Sequence, residues 1–453
     1  MPCAIMDEKC FGGIYGKEYP CCAGRRPTRR KHRSAGGKLC KGHMSSEKIF
    51  TALVTVNKRK RDNMYLLLLA VIYIAFISLG LPDSLLGSAW PTIHAEYGIP
   101  LSYMGFVSMI ISGGTIISGL MSERLTKKLG TRAVTTISVF LTAAAMFGFS
   151  TSTEFYQLCL WGIPYGLGAG AIDAALNNYV ALHYNSRHMS WLHCFWGVGT
   201  IVSPYIMSYA LTHSGWTNGY RTVSYIQFGI TLILVLAWPL WKINKTASEA
   251  ESSAKPLGIK GAFKIKGVPY LLIGFMSYCA AEATTMLWAS SYLEGARGVS
   301  KDEAAAFGSL FFIGITAGRF LSGFISDKLG DNKMIRLGTS LALVGAALIA
   351  IPVSIVSEIG FVVIGLGCAP VYPCIIHSTP NNFGAENSQG IIGIQMASAY
   401  VGSTFMPPLF GLLANHISLK IMPVYIAFFF ILLLIMISKT EKECGNGRKR
   451  TTQ

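Results

Sequence analysis

Long apolar runs recur at a regular interval along this chain and constrain its fold more than any other feature. A helix that crosses a lipid bilayer needs about 20 consecutive, mostly apolar residues. Twelve such spans are predicted, near 65–88, 101–122, 133–151, 156–181, 190–212, 222–242, 269–292, 304–326, 334–354, 358–378, 389–414 and 421–438. Apolar residues make up 51% of the chain and charged residues only 13%, which is too little charge for a soluble protein of this size. We therefore predict an all-α membrane protein.

Two similar segments, about 200 residues apart, indicate that the chain is internally duplicated. They read GLMSERLTKKLGTR and GFISDKLGDNKMIR, and each ends a long apolar run. In both, a glycine is followed four residues later by an acid and then by a base: Gly119, Glu123 and Arg124 in the first, and Gly323, Asp327 and Lys328 in the second. Duplicated helical bundles that bind a solute at the repeat interface are the architecture of secondary transporters. The predicted fold class is therefore twelve transmembrane helices in two pseudo-symmetric six-helix bundles.

Charge and composition separate the two apolar halves from three polar segments. Residues 1–63 hold fifteen Lys/Arg against five Asp/Glu, and residues 439–453 hold five against two. Because the basic excess lies on the flanks rather than on a folded face, it does not favour nucleic-acid binding. Residues 1–45 either form a disordered extension near anionic lipid or precede a later start at Met44 or Met64. The predicted organisation is a disordered N-terminal extension (1–63), an N-terminal bundle (64–243), a cytoplasmic linker (244–267), a C-terminal bundle (268–439) and a basic cytoplasmic tail (440–453).

The loops also differ in charge, and this predicts the orientation of the chain. If the N-terminus is cytoplasmic, the inner loops contain fourteen Lys/Arg and the outer loops only four. Basic residues are enriched in cytoplasmic loops. We therefore expect a multi-pass protein of the plasma membrane with both termini in the cytoplasm.

At these residues the chain resembles the major facilitator superfamily, over roughly residues 65–440. The two repeated segments match the superfamily signature, with Thr126 where a glycine is usual and Gly330 keeping that glycine in the second copy. Within the superfamily the chain is similar to the fucose permease-like group of proton-coupled sugar symporters. The residues that carry this likeness are LPD at 81–83 and GLGAGAIDAALNN at 166–178, where the family pattern has Glu in place of Asp173.

Internal symmetry supports the same fold. The motif that begins at Gly166 in the fourth span aligns with the one at Gly365 in the tenth, and Gly199 in the fifth span aligns with Gly402 in the eleventh. On this alignment an acid, Asp173, falls opposite a phenol, Tyr372. We interpret the asymmetry as a division of labour, with proton coupling in one half and substrate contacts in the other.

Four ionisable residues lie well inside predicted spans: Asp83, Asp173, Glu282 and Arg319. Each costs about 2.5–3.5 kcal/mol in a bilayer, so each needs either an internal partner or a function. The resemblance implies that Asp83 and Asp173 couple transport to protons. Arg319 is expected to be a structural anchor that pairs with an acid. Glu282 fits either a structural role or contact with the substrate.

The substrate-binding candidates are polar or aromatic residues within spans: Asn177, Asn178, His193, Trp196, Glu282, Trp288, Tyr372 and Gln395. Aromatic faces beside a hydrogen-bonding group are a common arrangement for carbohydrates, although a lone helical His is usually a packing residue. In the signature segments, which contain Gly119, Glu123, Arg124, Gly323, Asp327, Lys328 and Gly330, the two acids are expected to act as gate residues that tie helices across the halves.

Together these features predict a secondary active transporter that imports a small polar solute, most simply a sugar, by proton symport through alternating access. The partners we expect are a sugar-like solute, a coupling proton or sodium ion, and the lipid bilayer. One alternative is an exporter of drugs or metabolites in the same fold; another is a membrane-embedded sensor or enzyme. The sequence has no nucleophile elbow, P-loop or metal-ligand cluster, so we expect no enzymatic activity, cofactor or metal.

Overall fold

The computed structural model describes residues 46–244, 256–300 and 310–451. Packing divides the chain into two units, Met1–Val56 and Asn57–Gln453, and the second contains the membrane bundle. Of the first unit, the described part is helical from Ser46 onward. Most of the predicted N-terminal extension, and residues 245–255 of the predicted linker, lie outside the described residues.

Helices make up almost all of the described structure, and no strand occurs within the described ranges. In chain order the helices are α1 (Ser46–Asp83), α2 (Leu85–Glu96), α3 (Met104–Leu129), α4 (Thr131–Thr151), α5 (Phe155–His183), α6 (Ser186–His213), α7 (Trp216–Leu236), α8 (Gly258–Lys264), α9 (Val268–Arg297), α10 (Leu310–Leu329), α11 (Asp331–Ala350), α12 (Ser354–Cys368), α13 (Val371–Phe383), α14 (Ala385–His416) and α15 (Met422–Thr451). Helix α8 lies in the predicted linker, and α15 continues through most of the predicted tail.

Ten helical stretches are long and apolar enough to cross a membrane, with α1–α2 forming one crossing and α12–α13 another. Helices α5 and α14 fall outside this set because their Gly, Asn and Gln residues reduce their apolar content. They complete the twelve membrane helices of the fold. These two less apolar helices both lie against α3 in the interior of the bundle.

Two of the crossings are interrupted near prolines. Helix α1 ends at Asp83, just after Pro82, and α2 begins at Leu85. The crossing that forms the tenth span is split between α12 and α13 at Pro370, where the sequence predicts a single helix. Proline removes a backbone donor and clashes with the preceding turn, which weakens the helix at both positions. The first break leaves Asp83 at a helix end.

Within each half, helices pack against each other through equivalent glycine contacts. A Cβ on Gly114 would lie 3.2 Å from the Cα of Gly166, and a Cβ on Gly314 would lie 3.2 Å from the Cα of Gly365. Helix α3 therefore crosses α5 as α10 crosses α12, and residues 200 apart are equivalent in α3 and α10. The predicted pairing of Gly166 with Gly365 is confirmed.

A second pair of glycines extends the symmetry to the first helix of each half. A side chain on Gly199 in α6 would collide with the carbonyl oxygen of Ile77 in α1. In the same way, a side chain on Gly402 in α14 would collide with the carbonyl oxygen of Met276 in α9. Ile77 and Met276 are therefore equivalent positions.

The same register relates two acids. Asp83 lies six residues after Ile77, and Glu282 lies six residues after Met276. Asp83 and Glu282 thus occupy equivalent positions in the two halves, a relationship that the sequence motifs did not indicate.

The signature segments align differently from the prediction. Helix α3 ends in Gly130 with φ 80°, and α10 ends in Gly330 with φ 78°, a backbone conformation that favours glycine. Gly130, not Thr126, is therefore the counterpart of Gly330, and Glu123 and Asp327 are not equivalent. The sequence alignment was wrong by about one helical turn, because a shift of four residues keeps the same helix face.

Candidate functional site

A central cavity of about 490 Å³ lies between the two halves. Both halves contribute to its lining, mainly through Asp83, Ser108, Ser112, Tyr165, Asp173, His193, Trp196, Arg319, Tyr372 and Tyr400. Its walls also include Gly87 near the start of α2 and Met104 at the start of α3, directly after the α2–α3 loop. The cavity therefore extends from the middle of the bundle toward the end that carries this loop.

Asp83 is held at the break between α1 and α2 by two neutral donors. The Tyr165 hydroxyl donates to its Oδ1 at 2.6 Å, and the Trp196 indole Nε1 donates to its Oδ2 at 2.9 Å. The carboxyl is exposed, and this exposure is to the cavity that it lines. Asp83 is therefore open to the cavity, and its hydrogen bonds come from neutral groups.

Asp173 begins a chain of hydrogen bonds within the N-terminal half. Asn177 Nδ2 donates to Asp173 Oδ1 at 2.7 Å, and Asn177 Oδ1 lies 3.1 Å from His193 Nε2. Because the amide oxygen of Asn177 must accept, His193 carries its proton on Nε2. The His193 ring contacts the Tyr372 ring, with centroids 4.8 Å apart. The chain thus connects a carboxyl of one half to an aromatic residue of the other.

The C-terminal half contributes an ion pair. Arg319 Nη2 lies 3.3 Å from Glu282 Oε1, which confirms the prediction that Arg319 pairs with an acid. The guanidinium also lies over the Trp196 ring, with Cζ 5.4 Å from the ring centroid. Because Arg319 lines the cavity, it is more than an anchor. Glu282 is not among the residues that line the cavity, and it holds Arg319 through this ion pair.

The other substrate-binding candidates have different surroundings. Asn178 accepts a hydrogen bond from Ser388 across the two halves, and Gln395 accepts one from Thr379 at 2.9 Å. Trp288 donates to the carbonyl oxygen of Pro407 at 3.0 Å. Trp288 and Gln395 are not among the residues that line the central cavity, and each bonds within the C-terminal half; their role in substrate binding stays a prediction.

Sequence reasoning did not select four further polar residues that line the cavity: Ser108, Ser112, Tyr165 and Tyr400. Ser108 and Ser112 lie one helical turn apart on α3, a spacing that could have identified them as one face. Tyr165 and Tyr400 lie among glycines and other small residues, a pattern that is equally typical of tyrosines that only pack between helices.

The signature end, which we define as the end of the bundle that holds Gly130 and Gly330, is closed by contacts between the halves. Arg187 at the start of α6 forms an ion pair with Asp327 of the second signature segment. Next to it, Ser186 Oγ donates to Asp331 Oδ1 at 2.6 Å. These contacts join the α5–α6 connection to the α10–α11 connection, so the central cavity is separated from this end.

The first signature segment is bound differently. Glu123 is buried and accepts backbone hydrogen bonds from Leu257 at 2.7 Å and Gly258 at 3.2 Å, at the start of the linker helix α8. Lys127 Nζ lies 2.9 Å from the same carboxylate. The carboxylate also fills the space beside Gly390 of α14. Glu123 therefore joins the N-terminal half to the linker and to the C-terminal half.

The remaining signature residues have simpler surroundings. Gly119 lies against the Gly393 carbonyl of α14, and Gly323 makes room for the indole of Trp191 in α6. Arg124 and Lys328 are exposed. The two glycines allow close helix contact between the halves on equivalent sides of the bundle.

The structure has two six-helix halves, a polar cavity between them and a closed signature end. This arrangement is that of a membrane transporter rather than an enzyme. The family model of the Major Facilitator Superfamily matches residues 72–363 and 270–450. The chain belongs to this superfamily.

Several curated proteins are similar in sequence. Bypass of stop codon protein 6 of Saccharomyces cerevisiae is 24% identical over 287 residues, which cover 57% of this chain and 57% of that protein. The chain therefore spans just over half the length of that relative. The glucose/mannose transporter of Bacillus subtilis is 21% identical and is aligned over 66% of this chain and 77% of its own length. The cis,cis-muconate transport protein of Acinetobacter baylyi is 24% identical, with 60% and 70% covered.

Solved structures show the same fold. The fucose:proton symporter of E. coli superimposes with a TM-score of 0.68 at 15% identity, over 83% of this chain and 99% of that one. A proton:xylose symporter superimposes with a TM-score of 0.67 at 12% identity, over 82% and 94%. At these identities the likeness establishes the architecture alone.

Proposed function

We propose that this protein is a proton symporter that imports a small hydroxylated solute of the sugar class by alternating access. The observation that carries the proposal is that two carboxyls, Asp83 and Asp173, line one central cavity and receive hydrogen bonds from neutral groups. Intramembrane acids that face a cavity are typical of proton relays. The relatives named for glucose, mannose, fucose and xylose transport support the solute class.

Coupling follows from the cost of moving charge. An ionised carboxylate costs about 2.5–3.5 kcal/mol at the centre of a bilayer by insertion scales. Protonation of Asp83 and Asp173 removes that charge before the cavity closes around the solute. The loaded carrier then changes orientation more readily with its acids protonated than with them ionised, which makes solute uptake depend on the proton gradient.

The cavity suits a monosaccharide. Its volume of about 490 Å³ lies within the range of small-molecule sites, about 300–1,000 Å³. Trp196 and Tyr372 contribute aromatic surface to the lining, and Tyr165 and Tyr400 provide hydroxyls. Ser108 and Ser112 add two more hydroxyls on α3. Aromatic faces with nearby hydrogen-bonding groups match the alternating apolar and polar surfaces of a sugar.

The basic signature end is proposed to face the cytoplasm of a plasma-membrane protein, because basic loops are retained on that side. The cavity, which reaches the opposite end, would then be open to the outside. Residues 244–267, which include α8, are proposed to be a cytoplasmic linker between the two bundles, and residues 440–453 a basic cytoplasmic tail.

Uptake into proteoliposomes tests the proposal. Vesicles with an alkaline interior should accumulate a sugar from a labelled monosaccharide panel, and an uncoupler should abolish accumulation. Asp83→Asn and Asp173→Asn should lose uphill uptake while keeping counterflow, which needs no coupling. The exposed acid Glu154 provides the matched control, since Glu154→Gln should behave as wild type. Uphill uptake with unchanged pH dependence in both cavity variants would refute the proposal.

A further inference from the structure

Arg319 supplies the one positive charge among the described residues that line the central cavity. It lies in the middle of α10, and only 5% of its surface is exposed. A cationic side chain at such a position needs partners, since charge inside the membrane is costly. The partners that Arg319 has in this structure account for only part of its hydrogen-bonding capacity.

A guanidinium has five N–H donors arranged for two parallel hydrogen bonds to a carboxylate. Arg319 directs Nη2 to Glu282 at 3.3 Å, which is long compared with the roughly 2.7–2.9 Å of strong charge-assisted hydrogen bonds. Its Nε is buried and has no hydrogen-bond partner. The ion pair therefore uses a single donor of Arg319, and donors remain for a further acceptor.

The charges around the cavity decide when an anion can approach Arg319. Glu282 and Arg319 together sum to zero, whereas Asp83 and Asp173 add two negative charges when both are ionised. The ionised cavity therefore repels an anionic solute. When both acids are protonated, the repulsion disappears and Arg319 can attract an anion.

Trp196 connects the two functions. Its indole nitrogen donates to Asp83 at 2.9 Å, and the face of its ring lies under the Arg319 guanidinium. A carboxylate that binds Arg319 therefore lies beside the residue that holds the proton-binding acid. Binding of the solute at Arg319 and protonation of Asp83 would therefore both change the contacts of the Trp196 ring.

We propose that the transported solute carries a carboxylate that binds Arg319, so that it is a sugar acid or a similar hydroxylated carboxylate rather than a neutral sugar. This inference rests on the proposed proton symport, because protonation of Asp83 and Asp173 is what admits the anion. It also requires ordered binding, with protons first and the carboxylate second.

The test uses pairs of solutes that differ in one group: glucose with glucuronate and gluconate, and galactose with galacturonate. Thermal stabilisation of the purified full-length protein is measured at pH 6 and pH 8, and uptake is measured in proteoliposomes with an alkaline interior. A carboxylate of the panel should stabilise the protein more than its neutral parent does, and more at pH 6 than at pH 8. Sugar carboxyls stay ionised at both values, since carboxyl groups of this kind titrate near pH 3–4, so the pH effect reports on the protein.

Arg319→Lys and Arg319→Gln should raise the KM for the carboxylate by about tenfold or more, as expected when hydrogen bonds between charged groups are lost. The exposed base Lys420, in the turn before α15, gives the control, and Lys420→Gln should leave KM unchanged. Thermal midpoints of the unliganded variants separate loss of binding from loss of folding.

Two outcomes distinguish this inference from the proposed function. If neutral sugars are taken up with protons and no carboxylate exceeds its neutral parent, the inference is wrong and the symport proposal stands. If a carboxylate binds through Arg319 but its uptake is independent of the proton gradient, the symport proposal fails and the binding site remains. Equal binding of the carboxylate by wild type and Arg319→Gln would overturn the inference directly.

Discussion

Replacing Glu282 by Gln removes the negative partner of Arg319 while keeping the size of the side chain. The side chains of Glu282 and Arg319 are only 16% and 6% exposed, so little water is available to solvate the charge left behind. Removing one partner of a buried ion pair costs about 3–5 kcal/mol. The contact is long, at 3.3 Å, and a cavity adjoins it, so we take the lower limit of about 3 kcal/mol.

This cost can be read from thermal unfolding in detergent. For a unit of about 400 residues, an unfolding entropy of about 2.1 cal/mol/K per residue makes each kcal/mol worth about 1 °C, so Glu282→Gln should lower the midpoint by roughly 3–4 °C. Arg319→Gln should also be destabilising, because it leaves Glu282 unpaired. The double variant, which has two neutral amides, should lose clearly less stability than the sum of the two single variants.

A double-mutant cycle isolates the interaction between the two residues. We expect a coupling energy of about 2 kcal/mol or more between Glu282 and Arg319, since contacting residues couple by about 0.5–3 kcal/mol. If the two losses simply add in the double variant, the residues do not form a stabilising pair. The account of Arg319 as a supported cation would then be wrong.

Three further predictions concern the signature end and the helix crossings. Arg187→Ala removes the partner of Asp327, so a thiol reagent added at the signature end should label a cysteine introduced into the cavity more quickly than it does with Arg187 present. An unchanged labelling rate would contradict the closure of this end by the Arg187–Asp327 pair. Gly365→Ala should lower the thermal midpoint by several degrees, because its methyl group would collide with the backbone of α10; wild-type stability would contradict the close contact. His377 places one ring nitrogen 2.7 Å from Asp331 and the other 3.0 Å from a backbone carbonyl, so both nitrogens must donate and the charged ring favours closure. Signature-end labelling should therefore accelerate as pH rises, and His377→Gln should remove most of this dependence.

The positions of the membrane helices could be predicted because lipid imposes a simple rule on composition. The two helix breaks were less predictable. Pro82 and Pro370 mark them, but Pro164 and Pro204 lie inside continuous helices. A proline in a membrane helix interrupts it only when neighbouring helices stabilise the break. That information lies in the packing and not in the local sequence.

The candidate site was partly predictable for a related reason. Asp83 and Asp173 were identified because acids are rare in membrane spans, and both line the cavity. Trp288 was selected by residue type, but its ring is occupied by contacts with Pro407 and Gly411 in its own half. Residue type indicates what a side chain can do, whereas only the helix rotation and the opposite half determine whether it reaches the cavity.

The two halves of the duplicated fold place an acid at equivalent positions but surround it with different partners. Asp83 and Glu282 occupy equivalent positions, yet their partners differ in charge. Asp83 is held by a phenol and an indole, so gaining a proton breaks no ion pair. Glu282 is held by Arg319, so gaining a proton would leave a cation unpaired. The position equivalent to Arg319 in α3 is Gly119, which has no side chain to pair with Asp83. One half is therefore suited to exchange protons, while the other is suited to keep a fixed positive charge at the cavity.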